Sequence, residues 1–319
     1  MPANNFILTV VIPIYNEEEN ITQLINRLNT FLSEIQTNTA AEVIFVDDHS
    51  TDNSSELLKN ACLKYNHLIT IRLSRNSGSH TAILAGLSIA KGDCAVFLAG
   101  DLQDPPELIN EMLTKWYEGN HIVWAVRGKR EGISIFEKLF SKLFYFLFNK
   151  LSSVKQPPTG ADFALLDRKV YTNLLKSAGS KPSLGGLIAW LGYKSTTIEY
   201  IKEARKYGKS KWTLTKKINA FIDAFVSFSY IPLRLMSILG TIIAIVGFLY
   251  AILVIFIKLF SVTQIPGWTS LMIVVLIMGG VQMLMIGVLG EYLWRNLEES
   301  RKRPLFFIED ASDTNLLNK

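Results

Sequence analysis

The stretch GDLQDPPE, residues 100–107, places several oxygen-bearing side chains directly after a short apolar run. Asp101 and Gln103 offer a carboxylate and an amide oxygen, which suit Mg²⁺ or Mn²⁺ bridging a diphosphate. Asp104 and Glu107 flank two prolines in the order typical of a helix start, with a capping acid, proline at the first helical position and Glu three residues after the cap. The sequence therefore predicts chemistry for Asp101 and Gln103, and a helix-start role for Asp104 and Glu107.

Two further polar clusters have the composition of a nucleotide pocket. They are YNEEEN at 15–20 and DDHSTD at 47–52. The carboxylates of Asp47 and Asp48 can accept hydrogen bonds from a base or a ribose, and Tyr15 can supply stacking area. Each motif alone is weak evidence, and the stronger signal is their order along the chain.

The elements that must position these clusters alternate between strand and helix. Apolar runs predict strands at 6–14, 42–46, 68–73 and 94–99, and helical patterns lie between them at 17–35, 50–65 and 80–90. This alternation predicts an α/β fold with a mostly parallel sheet and helices on both faces. Ligands bind at the carboxyl ends of such strands, where the polar clusters lie. The dinucleotide fingerprint GxGxxG does not follow the first strand.

Charge is distributed unevenly along the 319 residues. The net charge is −8 over 1–126, from 7 basic and 15 acidic residues, and +13 over 127–217, from 19 and 6, whereas 218–319 carries 7 of each. A basic segment indicates nucleic acid, phosphates or an anionic membrane surface as a partner. The two cysteines lie far apart in apolar surroundings, which favours a reducing compartment.

Two uncharged apolar stretches, Leu235 to Ile257 and Trp268 to Gly290, each reach the roughly 20 residues needed to span a bilayer. Arg234 precedes the first, and Arg295 and the basic residues 301–303 follow the second, so both outer flanks are expected in the cytoplasm. The start MPANN lacks the features of a signal peptide, so the first domain is also expected there. A helical hairpin buried in a soluble core is the alternative.

Two Phe-rich segments flanked by lysines, 133–151 and 211–232, have helical periodicity. Such amphipathic helices suit a membrane interface, and ordinary helices facing a core are the alternative. The expected organisation is a catalytic domain at 1–210 that includes the first helix, then the second helix, two transmembrane helices within 233–294 (about 235–257 and 268–292) and a cytoplasmic tail at 295–319.

Seven motifs together resemble the polyisoprenyl-phosphate glycosyltransferases. They are VVIPIYNEE, FVDDHSTDNS, LSRNSGSHTAILAGLSIAKGD, GDLQDPPE, VRGKR, TGADFALLDRKV and RKYGKSKW. This inverting A-type family includes the dolichol-phosphate mannose synthases, and the two apolar stretches make the chain most similar to the bactoprenol glucosyltransferases. The resemblance reaches to about residue 303. It implies a Rossmann-like A-type fold, a nucleotide-sugar donor, a polyisoprenyl phosphate acceptor and a divalent metal, Mg²⁺ or Mn²⁺.

The resemblance also implies roles for individual residues. Its nucleotide-binding positions are Pro13, Tyr15, Glu17, Asp47 and Asp48, and its metal loop contains Asp101 and Gln103. Arg127, Arg205 and Asp162 match catalytic positions, Asp162 as a base or acceptor-orienting group, although a loop cap would also explain it. Residues expected to grip phosphate are Arg130, Lys138, Ser210 and Lys211. The chain departs from the pattern at Ala99, where many relatives have an acid, and at His49, where they have a small residue.

The resulting hypothesis is a multi-pass transferase of the bacterial inner membrane with a cytoplasmic catalytic domain. It moves a hexose, with glucose from UDP-glucose favoured, onto undecaprenyl phosphate with inversion. Membrane lipids are expected partners, nucleic acid is not, and a homo-oligomer is left open. The alternatives are the same reaction with mannose or an aminoarabinose derivative, and a non-catalytic scaffold that binds lipid phosphate.

Overall fold

The computed structural model describes residues 6–35, 39–128, 163–179, 184–201, 203, 231–260, 267–313 and 315. The chain divides into two compact units, one formed by Met1–Ala224 with Pro304–Lys319 and the other by Phe225–Arg303. Both predicted amphipathic helices lie largely or wholly outside the described residues. So do six predicted site residues: Arg130, Lys138, Asp162, Arg205, Ser210 and Lys211.

The first unit is built on an eight-stranded sheet with the order β7-β5-β6-β4-β1-β2-β3-β8. Strands β6 and β8 run antiparallel to their neighbours, and the other pairings are parallel. The strands are β1 (Phe6–Ile14), β2 (Thr39–Asp47), β3 (Leu68–Leu73), β4 (Cys94–Phe97), β5 (Ile122–Arg127), β6 (Phe163–Asp167), β7 (Ser195–Tyr200) and β8 (Ile308–Ala311).

Helices cover both faces of this sheet. They are α1 (Glu18–Glu34), α2 (Ser54–Lys64), α3 (Ser79–Ile89), α4 (Ile109–Tyr117), α5 (Arg168–Ser177) and α6 (Leu184–Trp190), with a short 3₁₀ turn at Pro106–Leu108 before α4. Right-handed crossovers from β1 to β2 to β3 put α1 and α2 on one face. The crossover from β3 runs back past β1 to β4, which puts α3 on the other face. The predicted α/β class with a mostly parallel sheet is confirmed.

The centre of the sheet is buried on both faces. Val10, Val11 and Ile12 of β1 are fully inaccessible, and so are Val43 and Ile44 of β2. Helix α3 packs closely on this surface because Gly86 has no side chain: a Cβ there would lie 2.4 Å from Val11 Cγ1. Burial on both faces explains why these strands read as continuous apolar runs in the sequence.

The strand order reverses between β1 and β4, because β1 connects onward to β2 whereas β4 lies on its other side. Crevices at such switch points, beyond the carboxyl ends of the strands, are where open α/β sheets bind ligands. Strands β5 and β7 end at this edge as well. The antiparallel strands β6 and β8 begin there, so the topology gathers loops from most of the chain at one edge.

The second unit consists of two long apolar helices, α7 (Ile231–Phe260) and α8 (Trp268–Ser300). Segments Leu233–Tyr250 and Ile277–Ser300 are long and apolar enough to cross a membrane, and neither is buried. Thirty residues of helix extend about 45 Å, which exceeds the roughly 30 Å hydrocarbon core of a bilayer. Large apolar side chains such as Phe248 and Leu249 are exposed, which a helix buried in a soluble core would not show.

The chain after α8 contains an element that the sequence analysis did not predict. Helix α8 extends to Ser300, and residues Ile308–Ala311 then form β8, which pairs with β3 in the first unit. The segment expected as a tail therefore contributes an edge strand to the sheet. Four residues of mixed polarity, IEDA, are too short to give a strand signal of their own.

Candidate active site

Hydrogen bonds connect the loop after β1 to the loop after β2. The Asn16 amide donates to Ser50 Oγ (3.0 Å), the Glu17 amide donates to Ser54 Oγ (3.0 Å), and the Thr51 amide donates to Asn16 Oδ1 (2.8 Å). The two polar clusters predicted as a nucleotide pocket therefore form one wall. Within it, the partly exposed side chain of Glu17 accepts a hydrogen bond from Asn20 Nδ2 (2.6 Å).

Three loops at this edge contain a non-glycine residue in the left-handed region. Asn16 (φ 52°) follows β1, His49 (φ 62°) follows β2, and Leu102 (φ 61°) follows β4. Such conformations cost on the order of 1–3 kcal/mol each and cluster at functional sites. Position 49 therefore has a backbone conformation that glycine adopts most readily, although His49 occupies it in this chain.

The carboxylates of Asp47 and Asp48 accept hydrogen bonds from the loops after β2 and β3. Asp47 is 1% exposed and accepts hydrogen bonds from the Ser50 amide (2.8 Å) and from Arg72 Nη1. Asp48 accepts hydrogen bonds from the Ser77 amide (2.7 Å) and the Gly78 amide (2.8 Å), which fixes the loop after β3. Burial raises the pKa of Asp48 above its usual value, although these two N–H groups oppose the shift. Direct contact with a nucleotide stays a prediction for both.

The loop after β4 lies against the end of β1. A Cβ at Gly100 would come within 2.6 Å of Ile14 Cδ1 and 3.2 Å of the Pro13 carbonyl oxygen, so a larger residue would have to displace the end of β1. Asp101 directly follows this closely packed glycine. Asp101 is largely buried, and its Oδ1 accepts a hydrogen bond from the Gln103 amide (3.2 Å).

Gln103 is fixed by the segment that follows β7. Its Nε2 donates to the Glu203 carbonyl oxygen (3.1 Å), and the Glu203 amide donates to the Gln103 carbonyl oxygen (3.0 Å). Because the amide nitrogen is engaged as a donor, the oxygen of that amide is the atom that a cation would bind. Over the described residues, no three His, Cys, Asp or Glu side chains form a metal cluster. Two protein oxygens fit Mg²⁺, which takes its other ligands from phosphates and water.

The prediction that Asp104 caps the following helix is wrong. The 3₁₀ turn begins at Pro106, and Pro105 occupies the cap position. Asp104 is instead 4% exposed, and it accepts hydrogen bonds from the Tyr200 hydroxyl (2.7 Å) and the Ala99 amide (3.3 Å). Two consecutive prolines disfavour the helical conformation before them, so the helix begins later than the cap pattern indicates.

Glu107 takes part in an ion-pair cluster centred on Arg27 of α1. Arg27 donates to both Glu107 oxygens (2.9 and 2.8 Å) and both Glu203 oxygens (3.1 and 2.7 Å). Hydrogen bonds to Glu203 and then Glu107 raise the pKa of Arg27 further above its usual value. The cluster joins α1, the 3₁₀ turn before α4 and the segment after β7. Sequence reasoning missed Arg27, because one arginine on an amphipathic helix gives no signal.

Arg127, the last residue of β5, is partly exposed at the same sheet edge. It lies opposite Tyr200 in the register of β5 with β7. Eight of the predicted site residues lie within the described part of the chain, and all of them are at this edge of the sheet. They are Pro13, Tyr15, Glu17, Asp47, Asp48, Asp101, Gln103 and Arg127.

Residues 9–175 match the sequence family described as Glycosyl transferase family 2, more than half of the chain. The chain belongs to glycosyl transferase family 2. The matched segment begins in β1 and ends in α5, so it contains the loops after β1, β2 and β4. The family match supports a glycosyltransferase over the non-catalytic scaffold.

Curated relatives of this family 2 member match it over nearly their whole length. An uncharacterized glycosyltransferase of Bacillus subtilis strain 168, YkcC, is 38% identical over 95% of this chain and 93% of the relative. A prophage bactoprenol glucosyl transferase homolog of Escherichia coli K12 is 32% identical over 95% and 98%. An undecaprenyl-phosphate 4-deoxy-4-formamido-L-arabinose transferase of Proteus mirabilis is 34% identical over 98% and 96%.

Proposed function

We propose that this glycosyltransferase transfers glucose from UDP-glucose to undecaprenyl phosphate with inversion at the anomeric carbon. The proposal is carried by the combination, in one chain, of the family 2 match and two apolar helices, together with a relative named as a bactoprenol glucosyl transferase homolog that matches over nearly its whole length. An acceptor oxygen of the lipid phosphate attacks the anomeric carbon, the bond from that carbon to the diphosphate breaks, and UDP leaves. Inversion converts the α-linkage of UDP-glucose into a β-linked glucosyl phosphate.

The chain's own residues have defined tasks in this proposal. The joined loops after β1 and β2 bind the nucleotide, with Tyr15 as a stacking surface. Asp101 and Gln103 would hold Mg²⁺ or Mn²⁺, which when bound neutralises charge on the departing diphosphate. The lipid phosphate has a second pKa near 6, so it is mostly a dianion at neutral pH and needs little help from a base. Arg127 at the end of β5 can stabilise the phosphates.

The relative that acts on a formamido-arabinose donor supports a second candidate sugar. At 34% identity it is as similar to this chain as the bactoprenol enzymes are. The candidates differ only in the donor, because both reactions place a sugar on undecaprenyl phosphate. A direct competition between UDP-linked sugars therefore tests the choice.

The test uses the purified full-length protein with Mg²⁺ or Mn²⁺, undecaprenyl phosphate and radiolabelled UDP-glucose. We expect label to pass into the lipid phase, to require the metal, and to be β-linked by NMR. UDP-mannose and a UDP-linked formamido-arabinose serve as competing donors. If only one of these two competing donors is used, its sugar and not glucose is the one transferred. If no UDP-sugar is used, the proposed reaction is rejected.

We also propose that α7 and α8 span the inner membrane and that the segment 133–151 lies on its cytoplasmic surface. The lipid phosphate stays at the headgroup level while the nucleotide is soluble, so the site has to work beside the membrane. Replacing Phe140 and Phe144 by Asp removes apolar insertion and adds repulsion from anionic lipid. We expect KM for undecaprenyl phosphate to rise strongly and KM for the donor to stay constant. Unchanged use of the lipid acceptor would assign both side chains to a protein core.

A further inference from the structure

We propose that Glu309, on the strand that follows the second apolar helix, is a positioning residue for the nucleotide pocket. It acts through Arg72 and His49 on the loop that carries Asp47 and Asp48. The proposal deepens the proposed function, on which it rests for the identity of the nucleotide. It assigns a role in donor binding to a segment far outside the matched family region.

The register of β8 places Glu309 at a bulge. Opposite β3, Arg72 pairs with Asp310 and the next residue, Leu73, pairs with Ile308, so Glu309 falls between two paired positions. A bulge bends its strand and re-aims a side chain, and bulges are common beside active sites. The bulge lies at the carboxyl end of β3, at the edge where the pocket loops emerge.

Hydrogen bonds on both sides of the bulge hold this strand in place. The Ser74 amide donates to the Phe307 carbonyl oxygen (3.0 Å) at one end. At the other, the Thr70 amide donates to Ser312 Oγ (3.0 Å), and the Ser312 amide donates to the Thr70 carbonyl oxygen (2.9 Å). The strand that contains Glu309 is therefore fixed at both of its ends.

The side chain of Glu309 reaches two residues that shape the pocket. Its Oε2 accepts a hydrogen bond from Arg72 Nε (3.2 Å) and lies 3.6 Å from His49 Nδ1. His49 is the left-handed residue next to Asp48, and its Nδ1 is also 3.1 Å from the Leu73 carbonyl oxygen. Glu309 thus contacts both the pocket loop itself and the arginine that supports it.

Arg72 transmits the position of Glu309 to Asp47. While its Nε faces Glu309, its Nη1 donates to the Asp47 carboxylate and its Nη2 donates to the Ser50 carbonyl oxygen (3.1 Å). A guanidinium is planar, so fixing Nε fixes the direction of the other two nitrogens. Glu309 therefore sets the orientation in which Arg72 holds the two ends of the loop 47–50.

The neighbouring residue Asp310 provides a matched control. It forms an ion pair with Lys59 of α2, and its side chain is 39% exposed, against 49% for Glu309. The substitutions Glu309→Gln and Asp310→Asn each remove one charge from β8 and one partly exposed ion pair, to Arg72 of β3 and to Lys59 of α2 respectively. Only Glu309→Gln changes a contact of the loop 47–50.

The experiment compares the full-length parent, Glu309→Gln and Asp310→Asn. We expect Glu309→Gln to raise the Kd for UDP and the KM for UDP-glucose about fivefold, the upper end for a partly exposed ion pair. The kcat at saturating donor and the KM for the lipid acceptor should stay constant. Hydrogen exchange of the peptide over 47–54 should become faster, and Asp310→Asn should change none of these values by more than about twofold.

Equal effects of both substitutions would overturn the proposal, because they would show that β8 contributes only by docking on the sheet. Unchanged UDP affinity and unchanged exchange in Glu309→Gln would overturn it as well. The hydrogen-exchange measurement requires no sugar donor, so it can test this inference even if the proposed function fails. If even the parent fails to bind UDP but exchange over 47–54 responds only to Glu309→Gln, the donor is wrong and the positioning role stands.

Discussion

Replacing Asp104 by Ala removes a buried carboxylate that ties the loop after β4 to β7. The Tyr200 hydroxyl, in a residue 6% exposed, would lose the acceptor that lies 2.7 Å away. Removing a hydrogen-bond acceptor from a buried polar group costs about 1–3 kcal/mol. The bond from the Ala99 amide is long, at 3.3 Å, and adds less. We therefore expect a loss of about 2 kcal/mol, which lowers the melting temperature by roughly 4–8 °C in a unit of this size.

The assay is a double-mutant cycle on the purified full-length protein, followed by thermal unfolding. Tyr200→Phe removes the same hydrogen bond from the other side and takes a donor away from the buried Asp104 carboxylate, so it should cost a similar amount to Asp104→Ala. The double variant should be less destabilised than the sum, with a coupling of about 1 kcal/mol. Turnover per folded molecule should stay near that of the parent in all three variants. A variant Asp104→Ala that melts like the parent but has lost turnover would refute the reasoning and place Asp104 in the chemistry.

Three other outcomes are expected. Asp101→Asn should abolish turnover while the melting temperature stays near that of the parent, and a large loss of stability would instead make Asp101 a structural residue. Arg27→Gln should cost about 1 kcal/mol, less at high salt, because its partners are partly exposed. Glu118→Gln is the control, because it removes only an exposed ion pair with Lys115 (3.1 Å) and should cost nothing measurable. An equal loss of stability in both variants would show that the Arg27 cluster contributes no more than an ordinary surface pair. A cysteine at Thr263 should react with an impermeant maleimide in intact cells, whereas one at Asn315 should not, and the reverse would contradict the proposed topology.

The centre of the fold was predictable because its strands are buried on both faces. Strands β1, β2 and β4 each contain a continuous apolar run, such as VIFV in β2, and helical patterns of ordinary length separate the strands. The position of the site followed from the same alternation. Asp47 is the last residue of β2 and Asp101 lies in the loop after β4, and parallel strands bring their carboxyl ends to one edge.

The parts that sequence reasoning missed depend on contacts between residues far apart in the chain. The local pattern around Asp104 indicated a helix cap, but its partner Tyr200 lies 96 residues away. Arg72 and Glu309 are separated by 237 residues and by both apolar helices. Periodicity and capping rules describe neighbours along the chain, so they carry no information about such pairs.

Strand β8 also fixes an order of events during synthesis. The other seven strands of the sheet are encoded before the apolar helices, whereas Ile308–Ala311 are encoded after both. Domains form as the chain emerges, from the N-terminus onward. When α8 has just been synthesised, the sheet therefore still ends at β3, and Glu309, the partner of Arg72, has not yet been made. Under the proposed function, the donor pocket is completed only after both apolar helices have been made and Ile308–Ala311 have left the ribosome.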